Sequence, residues 1–482
     1  MKGDFSKMTY APDKNFLRVL MQQGRVQLDA DWNEQTAILL HYMQTLAADL
    51  IGPHGGPAGY YGFKIGAVLF RNGIEVNVPK GDFSIGKGRY YVNGILCENH
   101  HNITYFGQPD YPLDAKTDVL NAGSNYLVYL DVWERHITYL EDDDIREKAL
   151  NGVDTATRSK VVWQVKVKEL NGDDISCEAG ARILNNELAL SEACLCAQIK
   201  SDNTKLDACC QHPDAKYRGA ENQLYRIEIH NDGRDGNLPT FKWSRENGSV
   251  VFPVTNITQQ TEMIIVELEH LGRDDKLSLA VNDWVELVND DSVLKNTVNP
   301  LPLYQVHAID PMTKTVELTG TTSIINDKSK HILLRRWDQK NGDANGIVIK
   351  CTDKIGEMGM NGQTDWLPIE AGIEVTFKCF GDLRNGDYWL IPARTTGELE
   401  WPNLKGIDAK GNEVLYPAFV KPNGVEHHYA PLAIIEVGEG GVIINVEGGD
   451  CRHSFDSSTP LPNDNDEIPI VDSDYCNRIM RM

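Results

Sequence analysis

The stretch YLVYLDVW, from Tyr126 to Trp133, is rich in valine and aromatic residues and contains neither glycine nor proline. This composition predicts a β-strand, because such side chains pack well on a pleated surface. Six further short runs share it and are bounded by Gly, Asn or Asp turns: Val161 to Val167, Leu224 to Ile229, Met263 to Leu268, Trp284 to Val288, Val316 to Leu318 and Ile373 to Phe377. The sequence therefore predicts a mainly β fold of several barrel-like or sandwich-like units.

The pattern differs between Asp29 and Ile51, where the sequence reads DADWNEQTAILLHYMQTLAADLI. Its apolar residues follow the three-and-four spacing of an amphipathic helix. They are Trp32, Leu39, Met43, Leu46 and Leu50. Asp31 is predicted to cap this helix, with Glu34 completing a capping box. The run GPHGGP that follows cannot continue a helix, so the helix should end near Ile51.

The residues before the helix, Met1 to Leu28, mix polar and aromatic side chains without a period and predict an extended arm. Two arginines of this arm, Arg18 and Arg25, are candidates for pairing with carboxylates. Two alternatives stay open for the apolar stripe of the helix. It is buried either at a helix interface with a partner or against the protein's own β body.

The 47 Lys and Arg residues are outnumbered by 70 Asp and Glu residues, which gives a formal charge of -23 at pH 7. A surface this acidic repels phosphate and anionic lipid, so general binding of nucleic acid is not expected. The first residues lack the apolar core of a signal peptide, and no stretch approaches the roughly 18 uncharged apolar residues of a membrane helix. We expect a soluble protein that starts in the cytoplasm and does not span a membrane.

A chain of 482 residues is long enough for more than one hydrophobic core. Composition divides it into an arm with a docking helix (1–55), a β domain (56–171), a Cys-rich insertion (172–216), a second β domain (217–340), a third β domain (341–454) and a flexible acidic tail (455–482). The insertion shows no strand alternation. Short helices are expected around Glu141 to Leu150 and Asn186 to Cys196.

Ten cysteines occur, none in a CxxC pair, and without a signal peptide their thiols are expected to be reduced. Soft ligands are dense enough in one region to raise a zinc hypothesis, which involves Cys194, Cys196, Cys209, Cys210 and His212. Adjacent cysteines fit tetrahedral zinc poorly. A Cys-bearing surface insertion is therefore favoured, and no metal or cofactor is predicted.

Familiar catalytic motifs do not occur: the sequence lacks GxSxG, GxxxxGK[ST], HExxH and a GxGxxG after a strand. The adjacent pairs His100-His101 and His427-His428 would point to opposite faces of a strand, so hydrogen bonding is a better interpretation than metal chelation. No catalytic residue is assigned, and an enzyme is not expected.

Trp stands beside Arg and an acidic residue in several blocks, such as FKWSRENGS from Phe241 to Ser249 and GDYWLIPAR from Gly386 to Arg394. This composition suits either a glycan-binding or subunit contact or a Trp in a β core that is covered by Arg. We favour core packing for most of the nine tryptophans. Glycan recognition through Trp163, Trp243 or Trp389 remains the alternative.

Long motifs connect the chain to a known family. They include RVLMQQGRVQLDADWNEQ from Arg18, LAADLIGPHGGPAG from Leu46, TFKWSRENGSVVFP from Thr240, GDYWLIPARTTGELEWP from Gly386 and EHHYAPLA from Glu426. The sequence closely resembles an uncharacterised bacterial family whose members occur in gene clusters for phage tail-like contractile injection systems. GRVQLDADWNEQ is also similar to the start of phage tail-fibre and baseplate attachment proteins.

This resemblance implies a structural or accessory component of such a particle, docked through its arm and helix onto other subunits in a homo- or hetero-oligomeric assembly. The arm would then lie across a neighbouring subunit, with Arg18 and Arg25 pairing with carboxylates of that partner. The protein would be cytoplasmic during assembly and released as part of an extracellular particle. The alternatives are a cargo or effector loaded in the particle and a glycan-binding module at its tip.

Overall fold

A computed structural model describes residues 1–71, 74–171, 174–187, 193–200, 216–234, 236–295, 300–340, 342, 344–350, 366–378, 383–407 and 413–456. It confirms the mainly β fold, since three α-helices accompany thirty short strands within these residues. The described residues form two compact units, each assembled from three stretches. Unit 1 draws on residues 1–36, 136–158 and 190–425, and unit 2 on residues 37–135, 159–189 and those from 426 onward. The six-segment division by composition stays a prediction.

The first part of the chain contains two helices and twelve strands. The helices are α1 (Asp29–Ile51) and α2 (Cys177–Glu187). The strands are β1 (His54–Pro57), β2 (Ile65–Gly66), β3 (Val68–Arg71), β4 (Ile74–Asn77), β5 (Ser84–Ile85), β6 (Gly88–Val92), β7 (Ile95–Asn99), β8 (Ile103–Thr104), β9 (Asn125–Ile137), β10 (Arg146–Glu147), β11 (Val153–Asp154) and β12 (Arg158–Leu170).

The remaining strands are β13 (Cys194–Ile199), β14 (Gln223–Asn231), β15 (Thr240–Ser244), β16 (Val251–Gln260), β17 (Met263–Leu268), β18 (Trp284–Val288), β19 (Leu303–Asp310), β20 (Thr315–Thr319), β21 (Leu333–Trp337), β22 (Ile347–Val348), β23 (Leu367–Pro368), β24 (Ile373–Lys378), β25 (Tyr388–Ala393), β26 (Asn403–Ile407), β27 (Glu413–Pro417), β28 (His428–Val437), β29 (Ile443–Asp450) and β30 (Ser454–Phe455). A third helix, α3 (Asp290–Leu294), follows β18.

Unit 1 contains a closed six-stranded barrel in the order β16-β17-β20-β19-β18-β21. All neighbouring pairs are antiparallel, and bulges interrupt the register between Val254 and Asn256 and between Val306 and Ala308. Bulges bend strands, which helps a small sheet to close. Alternate side chains such as Ile264, Val266 and Leu268 fill the interior, as expected from the period of two.

Two further sheets of unit 1 share a second core. The sheet β22-β15-β14-β25 and the sheet β13-β24-β23 contribute its buried aromatic and aliphatic side chains, among them Phe241, Phe377 and Trp389. Strands β14 and β15 are buried along their whole length. Because these strands are covered on both faces, even their charged residues Lys242 and Glu228 are buried, where ion pairs compensate them.

Unit 2 is built on the sheets β12-β9-β28-β29 and β30-β1-β6-β7, together with the smaller sheet β2-β5-β8 and the hairpin β3-β4. Their inner faces form one core that includes Phe63, Phe83 and Tyr90. Helix α2 packs near β28, and Leu184 joins Leu127 and Ile434 in a smaller cluster there. All seven strand runs predicted from sequence occur as strands in one unit or the other.

Two helix predictions are wrong. Residues 141–150 form two 3₁₀ turns, Asp143–Ile145 and Lys148–Leu150, because the carboxylates of Asp142 and Glu147 accept hydrogen bonds from backbone amides two residues ahead. Such local bonds compete with an α-helix. Of the helix expected over residues 186–196, residues 188–192 lie outside the described part of the chain; on either side of them, α2 ends at Glu187 and Cys194 begins strand β13 instead of a helix. Cysteine behaves here as a small apolar residue.

The expectation of reduced thiols is also wrong at one pair. Cys177 at the start of α2 and Cys451 after β29 form a disulfide within unit 2, across a sequence separation of 274 residues. No local spacing connects two cysteines so far apart, which is why the sequence did not reveal the bond. The disulfide links the start of α2 to the end of β29, although these two segments are far apart in the sequence.

Candidate functional site

Helix α1 begins two residues earlier than its predicted cap. The Asp29 carboxylate accepts hydrogen bonds from the backbone amide of Ser6 at 2.9 Å and from its hydroxyl at 2.5 Å. Partial burial raises the pKa of Asp29, but these hydrogen bonds outweigh it and the net pKa is lowered. Asp31 therefore lies inside the first turn, and the prediction that it caps the helix is wrong. The arm itself supplies the partner that fixes the helix start.

Further arm residues hold the first turns of α1. The Thr9 hydroxyl donates to the carboxylate of Glu34, so Glu34 pairs with the arm instead of completing a capping box. The backbone amide of Val19 donates to the side-chain oxygen of Gln35 at 2.9 Å. The arm thus runs back alongside the helix that follows it.

The other end of α1 is held within unit 2. Gly52 has a positive φ of 93° and its amide bonds to the carbonyl of Ala48, which confirms the predicted stop. In the β6–β7 turn, Gly94 lies so close to the helix that an added Cβ would come within 2.0 Å of the Gln44 carbonyl oxygen. Only glycine leaves room for this contact between a hairpin turn and the helix backbone.

The side of α1 that faces the protein is made of small or medium side chains. Ala30 and Ile38 are buried there, and Ala37 and Ala48 are partly covered. Small side chains let the helix backbone approach its support closely. The larger apolar residues are consequently left for the other side.

All five residues of the predicted apolar stripe point to solvent. Their exposed fractions lie between 47% and 77%: Trp32, Leu39, Met43, Leu46 and Leu50. Of the two alternatives left by the sequence, packing against the protein's own β body is therefore not what the structure shows. A helix normally turns its large apolar side chains inward, so this arrangement leaves an apolar face uncovered.

The arm between Pro12 and Leu28 extends this exposed surface. Apart from the 3₁₀ turn Pro12–Lys14 it forms no helix or strand. Its large apolar side chains are between 45% and 84% exposed: Phe16, Leu17, Leu20, Met21, Val26 and Leu28. Arg18 and Arg25 are also exposed, and neither forms an ion pair with the described residues. Both arginines are thus accessible to carboxylates of a partner.

The first residues of the arm are not available in this way, because they are bonded to buried side chains of unit 1. Lys2 Nζ lies 3.0 Å from the Glu228 carboxylate, and Asn247 donates from Nδ2 to the Gly3 carbonyl at 3.0 Å. Arg226 donates to the Met1 carbonyl at 3.3 Å. The expectation that the whole arm lies across a neighbour is therefore restricted to the part beyond these residues.

Lys2 belongs to a buried charge cluster, called here the N-terminal anchor and defined as Lys2, Arg226, Glu228, Lys242 and Glu286. Glu228 contacts Arg226 at 2.6 Å and Lys242 at 3.5 Å, and Lys242 contacts Glu286 at 2.6 Å. Burial alone would raise the pKa of Glu228, but Lys2, Arg226 and Lys242 hold it well below its usual range. The anchor fixes the direction in which the arm leaves the β body.

The Trp-containing blocks of the sequence lie partly around this anchor. The Lys242 ammonium lies 4.5 Å from the ring centroid of Trp337, and the Arg226 guanidinium lies 3.5 Å from that of Tyr388. Trp337 is fully buried, so this tryptophan packs in the core, which is the use that the sequence favoured for most tryptophans. Nothing local in MKGDFSK marks Lys2 as the partner of a buried carboxylate, so this member could not be found from sequence.

The tryptophans proposed for glycan recognition serve other contacts. Trp243 and Trp389 are buried in the core of unit 1, and the Trp389 indole donates to the Val420 carbonyl at 2.8 Å. Trp163 in unit 2 is partly buried and donates to the Glu98 carbonyl at 3.1 Å. Two of the three rings therefore present no open face to a sugar.

His427 and His428 make hydrogen bonds, as predicted. His427 Nδ1 lies 2.6 Å from Asp131, and its ring packs 4.8 Å from the Trp133 ring. His428 Nδ1 lies 3.2 Å from the Asn93 amide. The two neighbouring imidazoles thus have separate partners.

The zinc hypothesis is only partly covered by the structure. Cys196 on β13 is buried, its thiol lies 3.3 Å from the Pro417 carbonyl, and burial raises its pKa to about 12. Cys194 is on the same strand, whereas Cys209, Cys210 and His212 lie outside the described residues. Among the residues that are described, no three His, Cys, Asp or Glu side chains are grouped to hold a metal ion.

Fold and site together define a mainly β protein that bonds the first residues of its arm to its β body and turns an apolar helix face outward. The chain belongs to the Family of unknown function (DUF6519), whose profile matches residues 1–174 and 168–455. No curated protein and no solved structure matches it. Over the described residues, none of the helices has the length and apolar character needed to cross a membrane.

Proposed function

We propose that this protein is a structural or accessory component of a phage tail-like contractile injection particle. It docks on a neighbouring subunit through the exposed arm and the outward face of α1. The observation that carries the proposal is the solvent exposure of the whole apolar stripe of α1, since contiguous apolar surface on a folded chain marks an interaction site. The particle context is supported by the resemblance of the motifs around Arg18 and Leu46.

Charge supports a protein partner for the arm. Between Pro12 and Leu28 the arm has three basic residues, Lys14, Arg18 and Arg25, and one acidic residue, Asp13, in a chain whose net charge is -23. A basic, apolar segment suits a partner surface that offers carboxylates next to an apolar groove. The protein would assemble in the cytoplasm and leave the cell as part of the particle.

The test is incorporation into purified particles. Leu17→Asp combined with Leu20→Asp changes two exposed arm side chains that lie outside the anchor. We expect the amount of this variant per particle to fall at least about ten-fold, which corresponds to 1.4 kcal/mol of lost binding free energy. Met312→Asp is the control, because Met312 is an apolar residue that is even more exposed and lies on a turn of the barrel.

Quantitative mass spectrometry of the particles reads out the result. A fixed copy number for the wild-type chain and the Met312→Asp variant, with loss of the arm variant, supports the proposal. Normal incorporation of the arm variant contradicts docking through the arm. Particles that assemble and contract normally without this protein, with a variable copy number in the wild type, would instead identify it as cargo.

A further inference from the structure

The exposed stripe of α1 continues a repeat that runs through the whole helix. Starting at Trp32, successive positions are alternately four and three residues apart and the pattern is not interrupted. The six positions, called here the seam, are Trp32, Thr36, Leu39, Met43, Leu46 and Leu50. An alternating four-and-three spacing is the a/d repeat of a coiled coil.

The geometry of the helix places the seam on one narrow face. With 3.6 residues per turn, the six positions fall within an arc of about 80°. All six are exposed, whereas buried Ala30 and partly buried Ala48 lie on the opposite side. Thr36, the polar member, donates its hydroxyl to the Trp32 carbonyl of its own helix at 3.1 Å. Its hydroxyl is therefore satisfied without a partner, and its methyl group remains for packing.

The residues beside the seam carry almost no charge. The flanking positions are Asn33, Gln35, Leu40, Tyr42, Ala47 and Asp49, of which Asp49 alone is an acidic or basic residue. In coiled coils, charges at these positions select a distinct partner and its orientation. Because this helix has almost no charges at the flanking positions, they do not select a distinct partner over an identical helix. The near absence of charge also removes the repulsion that copies of a chain with a net charge of -23 would otherwise meet at most contact surfaces.

We propose that the seam is an interface between α1 helices of two or more copies of this chain, which pack as a short coiled coil. The inference rests on the docking role proposed for α1 and names its partner as a second copy. The arm between Pro12 and Leu28 then remains for the particle neighbour. Large apolar side chains that interdigitate between identical helices would lose contact with water, which stabilises the oligomer by the hydrophobic effect.

Light scattering on the full-length protein during gel filtration tests the inference. The wild type is expected at two or more times the chain mass of 53.9 kDa. Leu39→Glu combined with Met43→Glu places charges in the centre of the seam, and Glu favours helix as well as Leu and Met do. This variant is expected at the single-chain mass with an unchanged circular dichroism spectrum.

Thr45→Glu is the matched control, because Thr45 is an exposed residue of the same helix outside the seam. It should keep the mass of the wild-type oligomer. A wild type that stays at 53.9 kDa over the accessible concentration range overturns the inference. So does an oligomer that the seam variant leaves intact.

The two proposals fail in distinguishable ways. A chain that is monomeric in solution but loses particle incorporation on Leu17→Asp and Leu20→Asp contradicts self-association and keeps the docking role. A chain that self-associates through the seam but enters particles normally with those arm substitutions contradicts docking through the arm. It would leave the coiled coil in place.

Discussion

Lys2 Nζ lies 3.0 Å from the carboxylate of Glu228, and the Glu228 side chain is almost fully buried. Burial lowers the pKa of Lys2 to about 7, although the charge of Glu228 opposes this. The carboxylate is held ionised because Arg226 and Lys242 also contact it. Of this pair, Lys2 is therefore the group that gains or loses its proton near neutral pH. Glu228 stays ionised when Lys2 loses its proton, because two other cations still neutralise it.

The substitution Glu228→Gln should destabilise unit 1 strongly. It leaves Lys2, Arg226 and Lys242 buried with one fewer carboxylate, and breaking a buried ion pair from one side costs about 3 kcal/mol or more. Lys2→Met should have a much smaller effect, because Glu228 keeps two cationic partners. Urea unfolding monitored by tryptophan fluorescence measures both. Glu398→Gln, at an exposed carboxylate, is the control and should stay within about 0.5 kcal/mol of the wild type.

The stability of unit 1 should fall when the pH drops from about 6.5 to about 4. Burial lowers the pKa of His136 to about 4; the charge of the N-terminal amine lowers it further, Glu141 raises it, and Arg335 lowers it by a smaller amount. In this window the unfolded chain binds a proton that the folded chain does not, so stability decreases as the pH falls. The expected loss is on the order of 2 kcal/mol.

Thermal unfolding at several pH values compares the wild type with His136→Gln, which retains a hydrogen-bonding side chain near Thr157. The variant should show a shallower loss between pH 6.5 and 4. Equal pH slopes in the two proteins would show that His136 is not the responsible group.

Gly94→Ala should displace α1 from its support in unit 2. The new Cβ would lie 2.0 Å from the Gln44 carbonyl oxygen, and the φ of 78° disfavours any side chain. Strain and overpacking together should cost about 3 kcal/mol. Gly59→Ala has a φ of 79° and open space around it, so it should cost about 1 kcal/mol. The rate of limited proteolysis within α1 and the melting temperature should both distinguish the Gly94→Ala variant from the Gly59→Ala variant.

Breaking the disulfide should destabilise unit 2. Cys177→Ser removes a link between residues 274 positions apart, and loss of a native disulfide usually costs about 2–5 kcal/mol. A reducing agent should lower the melting temperature of the wild type but not that of the variant, which provides an internal control. A wild type that is insensitive to reduction would contradict a structural role for the bond.

Much of the secondary structure could be predicted because it is encoded in local patterns. The β-branched and aromatic composition placed Met263–Leu268 and Trp284–Val288 with their observed bounds, and three-and-four spacing did the same for α1. The turns near Asp142 and the strand from Cys194 were missed. Near Asp142, hydrogen bonds from carboxylates to the backbone compete with the α-helix that the pattern suggested. At Cys194, cysteine residues lie in a buried strand that the sequence pattern did not indicate.

The amino-acid sequence by itself determined the mainly β fold, the limits of α1 and the apolar stripe along it, because each depends on residues a few positions apart. The tertiary structure alone decided that this stripe faces water, that Lys2 meets Glu228, and that Cys177 meets Cys451. These features join segments that are distant in the chain. Which side of a helix is covered depends on where the small side chains, such as Ala30, and the turn at Gly94 allow the rest of the protein to approach.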